Sequence, residues 1–378
     1  MSVQDPWTIF REMMQSPAAK AGEWKSAVHG RVIGHLLPDV PEEILHASGA
    51  LPVAIEGAGI HISQAQAHIP GYTCSHAMGA LEMGLAEELD VLDGMVIPYV
   101  CDTTRNLFHI WDTCFPQMNN EFLRLPKRID LAAARDYLHA EFSRLFAWAC
   151  SLTGRTADLS ALEASIRLYN QSRSKLRAAY KKYHAQSPEW TAERINLLVA
   201  SAMRTPREEH LKWMEALPWE NDGQSAAKEI TRVYVRGKVW DPPGILNLMD
   251  NLGLIVTSDE IVTGFRGIQI DAHEEGDPLK ALVNRHFAMP PYAGYHTDPA
   301  KAANNFVRRV KDSGAQGAIF LNPKFCEAAG FDTPDFQKAL TAKNIPSLIL
   351  ETSARGVSID QVRLRLEAFR EMLAEDLP

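Results

Sequence analysis

The chain predicts an α/β protein built as two doubly wound domains flanking a helical region, and three observations carry that prediction. Short, wholly apolar runs such as Gly94-Met-Val-Ile-Pro-Tyr-Val alternate with amphipathic segments, the pattern of a sheet covered by helices on both faces. The alternation stops between Asp130 and about Leu217, where charged, 3.6-periodic segments such as Leu159-Ser-Ala-Leu-Glu-Ala-Ser-Ile-Arg-Leu-Tyr-Asn follow one another without a convincing strand. It restarts at Thr231-Arg-Val-Tyr-Val-Arg-Gly. The expected organisation is a lead-in over 1–30, an α/β domain over 31–129, a helical region over 130–225 and a second α/β domain over 226–378, both α/β domains being Rossmann- or flavodoxin-like.

Taken in order, residues 5 to 29 read as helical, and Arg31-Val-Ile-Gly-His-Leu-Leu as the first strand. Val40-Pro-Glu-Glu-Ile-Leu-His-Ala-Ser-Gly places proline in the first turn of a helix and glycine at its end, ahead of the strand Leu51-Pro-Val-Ala-Ile. A helix over Ser75 to Leu89, the strand from Gly94, a helix over Asp102 to Phe115 and a shorter strand Glu121-Phe-Leu-Arg-Leu complete the first half. In the second half the strand at Thr231 is followed by a helix over Pro243 to Gly253 and the strand Leu254-Ile-Val-Thr-Ser. The strand Gly317-Ala-Ile-Phe-Leu-Asn, a helix around Asp335 to Lys343, the strand Pro346-Ser-Leu-Ile-Leu-Glu and a helix from Ser358 close the chain. Asp93 to Asp102 and Gln316 to Glu327 share glycine, apolar strand, cysteine and acid in that order, with a spacing that differs by two residues, which suggests an internal duplication.

Composition bounds the function. A chain of 378 residues with an ordinary apolar fraction has room for two or three domains with real cores. The net charge is −8 and the pI near 5.9, so no nucleic-acid partner is expected. Met1-Ser-Val-Gln-Asp-Pro-Trp is not a secretory leader, and no apolar run is long enough to cross a bilayer. The expectation is a cytoplasmic chain with no membrane partner. Five widely spaced cysteines do not make a disulfide framework and read as reduced thiols or ligands.

Three of the five stand where an open α/β sheet binds its ligands, in loops at the carboxyl ends of strands. Cys101 and Cys326 each follow an apolar strand and precede a helix, and Cys74 lies in Pro-Gly-Tyr-Thr-Cys ahead of the Ser75 helix. A helix N-terminus lowers a thiol's pKa and so favours the thiolate that binds metal. Packing of three unrelated small residues is the plainer alternative, but the shared location argues for a joint role. Cys114 shares a helical face with Leu107 and Trp111, and Cys150 follows Phe142, Leu145, Phe146 and Ala149, so packing accounts for both. Zinc is the main competitor, with His76 and His109 near Cys74 and Cys114, yet the closely spaced ligand pairs of structural zinc sites are missing. Three thiolates suit an iron–sulfur cluster that keeps one iron free of protein ligand.

Four stretches carry a resemblance. Gly71-Tyr-Thr-Cys-Ser-His-Ala-Met-Gly-Ala-Leu-Glu, Ile97-Pro-Tyr-Val-Cys-Asp-Thr-Thr-Arg-Asn, Ser258-Asp-Glu-Ile-Val-Thr-Gly-Phe-Arg and Asn322-Pro-Lys-Phe-Cys-Glu resemble the benzoyl-CoA reductase and 2-hydroxyacyl-CoA dehydratase family. The likeness extends over nearly the whole chain, including Ile166-Arg-Leu-Tyr-Asn-Gln-Ser-Arg. It implies a [4Fe-4S] cluster on Cys74, Cys101 and Cys326, a homologous cluster-bearing partner subunit, and a separate ATP-hydrolysing activator fed by reduced ferredoxin. The chain has no Gly-x-x-x-x-Gly-Lys-Ser/Thr loop of its own, which fits that division. Two reactions follow from the resemblance: reduction of the ring of benzoyl-CoA to a cyclic dienoyl-CoA, or loss of water from a 2-hydroxyacyl-CoA through a ketyl radical. The segment from His68 through Trp111 resembles the reductase branch more closely.

Further candidates are weaker. Asp259, Glu260 and Arg266 follow the Leu254 strand and are placed to orient substrate or to hydrogen-bond near a cluster, or to form a surface ion pair. His76 and His109 are candidate proton donors, with a structural histidine as the plainer reading of each. Gly237-Lys-Val with Asp241-Pro-Pro-Gly reads as a tight surface turn, with a phosphate-facing loop for CoA as the alternative. Two other classes stay open: a zinc hydrolase with ligands from His76, His109 or Glu82, and a non-catalytic scaffold indifferent to serine at the three loop cysteines.

Overall fold

Eight strands form where the sequence places its apolar runs. In the computed structural model, which describes residues 5–220, 230–352 and 357–375, β1 (Arg31–Leu36), β2 (Ala50–Ile55), β3 (Gly94–Pro98) and β4 (Asn119–Leu123) make one sheet. β5 (Thr231–Gly237), β6 (Leu254–Asp259), β7 (Gly317–Pro323) and β8 (Ser347–Thr352) make the other. Every pairing is parallel, and the orders β2-β1-β3-β4 and β6-β5-β7-β8 are the same order repeated, as a duplicated unit would give.

Each sheet is covered on both faces, which is why its strands read as unbroken apolar runs. In the first sheet Ile33 and Val96 face Phe142, Phe146 and Leu282, while Val32, Met95 and Ile97 face Met78, Leu107 and Trp111. In the second, Val233, Val235, Ile319 and Leu321 join Leu176, Tyr180 and Leu198, while Tyr234, Ala318 and Phe320 pack on Phe306 and Phe336. Alternate residues of one strand therefore belong to different cores.

Residues 130–217 hold helices and turns with no strand, the longest helices being Ala133–Thr153 and Leu159–His184. The lead-in helices, Thr8–Gln15 and Pro17–Val28, do not serve the neighbouring first sheet alone. Trp7 and Phe10 are buried in the core of the second sheet, beside Trp190 and Met214. No helix among the described residues is long and apolar enough to cross a membrane.

Three features depart from expectation. Two helices between β6 and β7, Pro278–Ala288 and Pro299–Asp312, lie in a stretch where the apolar pattern announced none. Each starts at an aspartate cap followed by proline, a polar signal and not an apolar one. The helix expected around Asp335 begins at Glu327 and runs through Pro334 to Thr341. Finally, Gly237-Lys-Val is not a surface turn: Gly237 ends β5 within contact of Leu321, and Asp241 is buried.

Candidate functional site

In both sheets the strand order reverses at the first strand, so the switch points lie between β1 and β3 and between β5 and β7, where ligands bind open α/β sheets. Cys101 follows β3 and Cys326 follows β7, and Cys74, from the loop after β2, joins them. All three occupy the same local position: Cys74 stands at the N-cap of the helix Ser75–Leu85, Cys101 at that of Asp102–Cys114 and Cys326 at that of Glu327–Thr341. Around Cys101 the Thr104 amide donates to Sγ while the Thr104 hydroxyl accepts from the Cys101 and Val100 amides at 3.2 and 3.1 Å. Cys326 is fixed by its own amide, 2.9 Å from the Pro323 carbonyl, and follows Phe325 in the left-handed region at φ 64°.

The three thiols, two from one half of the chain and one from the other, lie close enough to feel one another's charge. Burial pushes the Cys326 thiol up to about 11, and thiolate charge at Cys74 and Cys101 adds to the rise, against the pull of Lys238 and the Ala329 amide. The expectation that a helix N-terminus lowers the thiol pKa fails at Cys326, because desolvation and two neighbouring thiols outweigh one helix end. The buried Tyr292 hydroxyl is held well above the usual phenol range by burial and then by all three thiols. As a donor set, three neighbouring sulfurs that give up their protons on binding would suit a cationic polynuclear metal group. No three His, Cys, Asp or Glu side chains among the described residues are grouped to hold a single ion. A cluster asks for wider spacing, since each sulfur binds a different iron.

A loop of the second half closes over the thiols. Gly294, at φ 100°, packs so tightly against the Val100 carbonyl that a Cβ there would sit 2.4 Å from the oxygen, with Ala328 on its other side. Lys127, over the ring of Tyr99, donates to the Gly294 carbonyl, and the His296 amide donates to the Lys127 carbonyl at 2.7 Å. Lys238, Tyr292, Ala293 and Cys326 share a small pocket. Through Arg236, Pro291 and Tyr292 it adjoins a cleft of about 790 Å³ walled by Phe287, Tyr295, Phe331, Arg309 and Lys301. The loop's Pro-Pro-Tyr-Ala-Gly composition marks a turn, but nothing local ties it to cysteines so far away in sequence.

The structure reassigns the other candidates. Asp259, Glu260 and Arg266 are buried, not a surface ion pair. Glu260 accepts from Tyr234 (2.9 Å), Arg309 (2.7 Å) and Arg236, and Arg236 also reaches Asp332 at 2.9 Å, bracing the helix that Cys326 caps. Arg266 makes a two-pronged bond to Asp39 (2.7 and 3.1 Å) and donates to the Pro290 carbonyl at 2.9 Å, so it holds the closing loop to the end of β1. Asp259 accepts from the Ile261 and Phe265 amides and the Tyr180 hydroxyl, and burial raises its carboxyl to about 7. Glu260 and Arg266 also line the pocket that contains Cys326.

His76 is buried, kept neutral by desolvation and by Lys238, and its Nε2 has no hydrogen-bond partner among the described residues. Glu82 is committed to the Ser63 hydroxyl and the Gln64 and Ala65 amides, which hold its carboxylate down to about 2. His109 is exposed, against Phe108 and Phe122. The zinc arrangement is thus not assembled. Cys150 lies in a core as expected, whereas Cys114 is half-buried with Sγ 3.6 Å from His68 Nδ1.

Proteins of known activity resemble this chain along nearly its whole length. It is 25% identical to a subunit of benzoyl-CoA reductase of Thauera aromatica, covering 93% of this chain and 94% of that protein. It is 28% identical to the beta subunit of (R)-2-hydroxyglutaryl-CoA dehydratase of Acidaminococcus fermentans, covering 96% and 98%. It is 23% identical to the beta subunit of (R)-phenyllactyl-CoA dehydratase of Clostridium sporogenes, covering 96% and 97%. Residues 39–373 match the family described as 2-hydroxyglutaryl-CoA dehydratase, D-component, and the chain belongs to that family.

Proposed function

We propose that this chain holds a [4Fe-4S] cluster on Cys74, Cys101 and Cys326 and serves as the electron-transferring subunit of an enzyme acting on acyl-CoA thioesters. The observation that carries the proposal is the convergence of three thiols at helix N-cap positions, drawn from both halves of the chain, near the switch points of the two sheets. When bound, such a cluster supplies one-electron transfer at low potential. The chain's own groups do the rest. Cys74, Cys101 and Cys326 would hold the cluster through their thiolates, and the helix N-termini behind them would offset its negative charge. Tyr292 lines the pocket of Cys326, and Gly294 packs on the Val100 carbonyl next to Cys101. The adjoining cleft has a volume suited to an acyl group and is walled by aromatic and cationic side chains.

The reaction we propose is dearomatisation of benzoyl-CoA to a cyclic dienoyl-CoA. It rests on the reductase-like segment from His68 through Trp111 and on the similarity to a benzoyl-CoA reductase subunit. A second reading, loss of water from a 2-hydroxyacyl-CoA, is favoured by the family description and by the dehydratase subunits among the relatives. Both readings call for a homologous cluster-bearing subunit, an ATP-hydrolysing activator and reduced ferredoxin, and the lack of a Gly-x-x-x-x-Gly-Lys-Ser/Thr loop in this chain fits a separate activator. The test is turnover by the oxygen-free complex with each thioester, read by product mass. A gain of two hydrogens on benzoyl-CoA supports the first reading and loss of water from the hydroxyacyl thioester the second. Neither product from an iron-loaded, activated complex would overturn both.

A further inference from the structure

Two lysines approach the three thiols, and they are not equivalent. Lys127 senses the charge of Cys101, but its ammonium is already engaged by the Gly294 carbonyl and the Tyr99 ring. Lys238 is placed differently. It follows directly on β5, the strand that the switch-point geometry of the second sheet directs at a ligand. It lines the pocket that contains Cys326 and Tyr292. The Lys238 carbonyl is fixed by the Val262 amide at 3.0 Å, which anchors the backbone beneath the side chain. Arg236, two residues earlier, is tied to Glu260 and Asp332.

From this placement we infer that Lys238 is a positioning residue for the metal group: its ammonium is the countercharge that stabilises the reduced form of the site and thereby sets its reduction potential. The inference rests on the cluster reading given above. Three thiolates leave a [4Fe-4S]²⁺ core with a net negative charge, and an added electron makes the site more negative still. A fixed cation in a partly desolvated pocket lowers the energy of the more negative state more than that of the less negative one. No atom moves and no bond breaks: the electron comes from an external low-potential reductant, and the cation only biases the equilibrium. Lysine suits the task as a compact point charge on a flexible stem.

The experiment is an anaerobic redox titration of the intact complex, followed by the electron paramagnetic resonance signal of the reduced site. Wild type is compared with Lys238→Met, which keeps the stem and removes the charge, and Lys238→Arg, which keeps the charge. The expected result is that the methionine variant retains the iron content of wild type but titrates at a more negative potential, with an altered signal, while the arginine variant returns to the wild-type midpoint. A methionine variant with full iron and an unchanged midpoint overturns the inference and leaves the cluster reading intact. A wild-type chain without iron overturns both.

Discussion

Each of the three loop cysteines has two jobs in the proposed account: it fills a helix N-cap position, with a side-chain capping bond at Cys101, and it presents a sulfur to the shared site. Serine can take over the first job but not the second, since it caps helices well and is a poor iron ligand. Cys101→Ser is therefore expected to leave the fold near wild type by circular dichroism while losing most of its iron and its activity. The same residue scale holds the chain's clearest pH dependence. Burial raises the Asp259 carboxyl from 3.8 to about 7, so between those values the folded state binds more protons than the unfolded state. The contribution is fully present below 3.8 and is lost as pH rises through 7. Asp259→Asn, which mimics the protonated group, is expected to remove that fall and to be the more stable protein at pH 8, on the order of a few kcal/mol at most. Denaturation at pH 5 and pH 8 measures it, and equal pH slopes for the two proteins would contradict it.

Among elements, the closing loop and its anchors govern how the site is held. Arg266→Met leaves the buried carboxylate of Asp39 with the Tyr295 hydroxyl but without its cation, and removal of one partner from a buried pair costs about 3–5 kcal/mol. Urea denaturation reads that loss. Gly294→Ala sets a Cβ against the Val100 carbonyl at φ 100°, for a cost of about 1–3 kcal/mol. It is also expected to speed bleaching of the site in air, because the loop must lift from Cys101. The eight strands and the strand-end placement of the cysteines were legible in the sequence because burial on both faces writes them as apolar runs. The helix at Cys326 was legible only in its later part, since Gly330 and Pro334 are breakers by composition, and tertiary packing of Phe336 and Leu340 overrides them. Asp259, Glu260 and Arg266 were legible as a group near a strand end, but their burial depends on partners such as Asp39 and Tyr180 far away in sequence.

At the scale of the whole molecule, the two sheets are not independent bodies. The core on one face of the first sheet includes Leu282 and Tyr292 from beyond the second sheet's first two strands, and the core of the second sheet includes Trp7 and Phe10. A fragment comprising residues 31–129 alone would expose the face of Ile33 and Val96 that Phe142, Phe146 and Leu282 cover. It is expected to lack the near-ultraviolet dichroism of a packed core and to bind a hydrophobic dye, whereas a cooperatively unfolding fragment would contradict this. The same interlocking brings Cys326 to Cys74 and Cys101, so the site exists only when the whole chain is folded.

The most direct test of the account is the metal content of the chain, purified without oxygen in complex with its partner subunit and assayed for iron, acid-labile sulfide and zinc. The account predicts about four irons and as many sulfides per chain, lost together when Cys74, Cys101 or Cys326 is replaced by serine. Zinc in place of iron, or a folded chain with no metal, would contradict it.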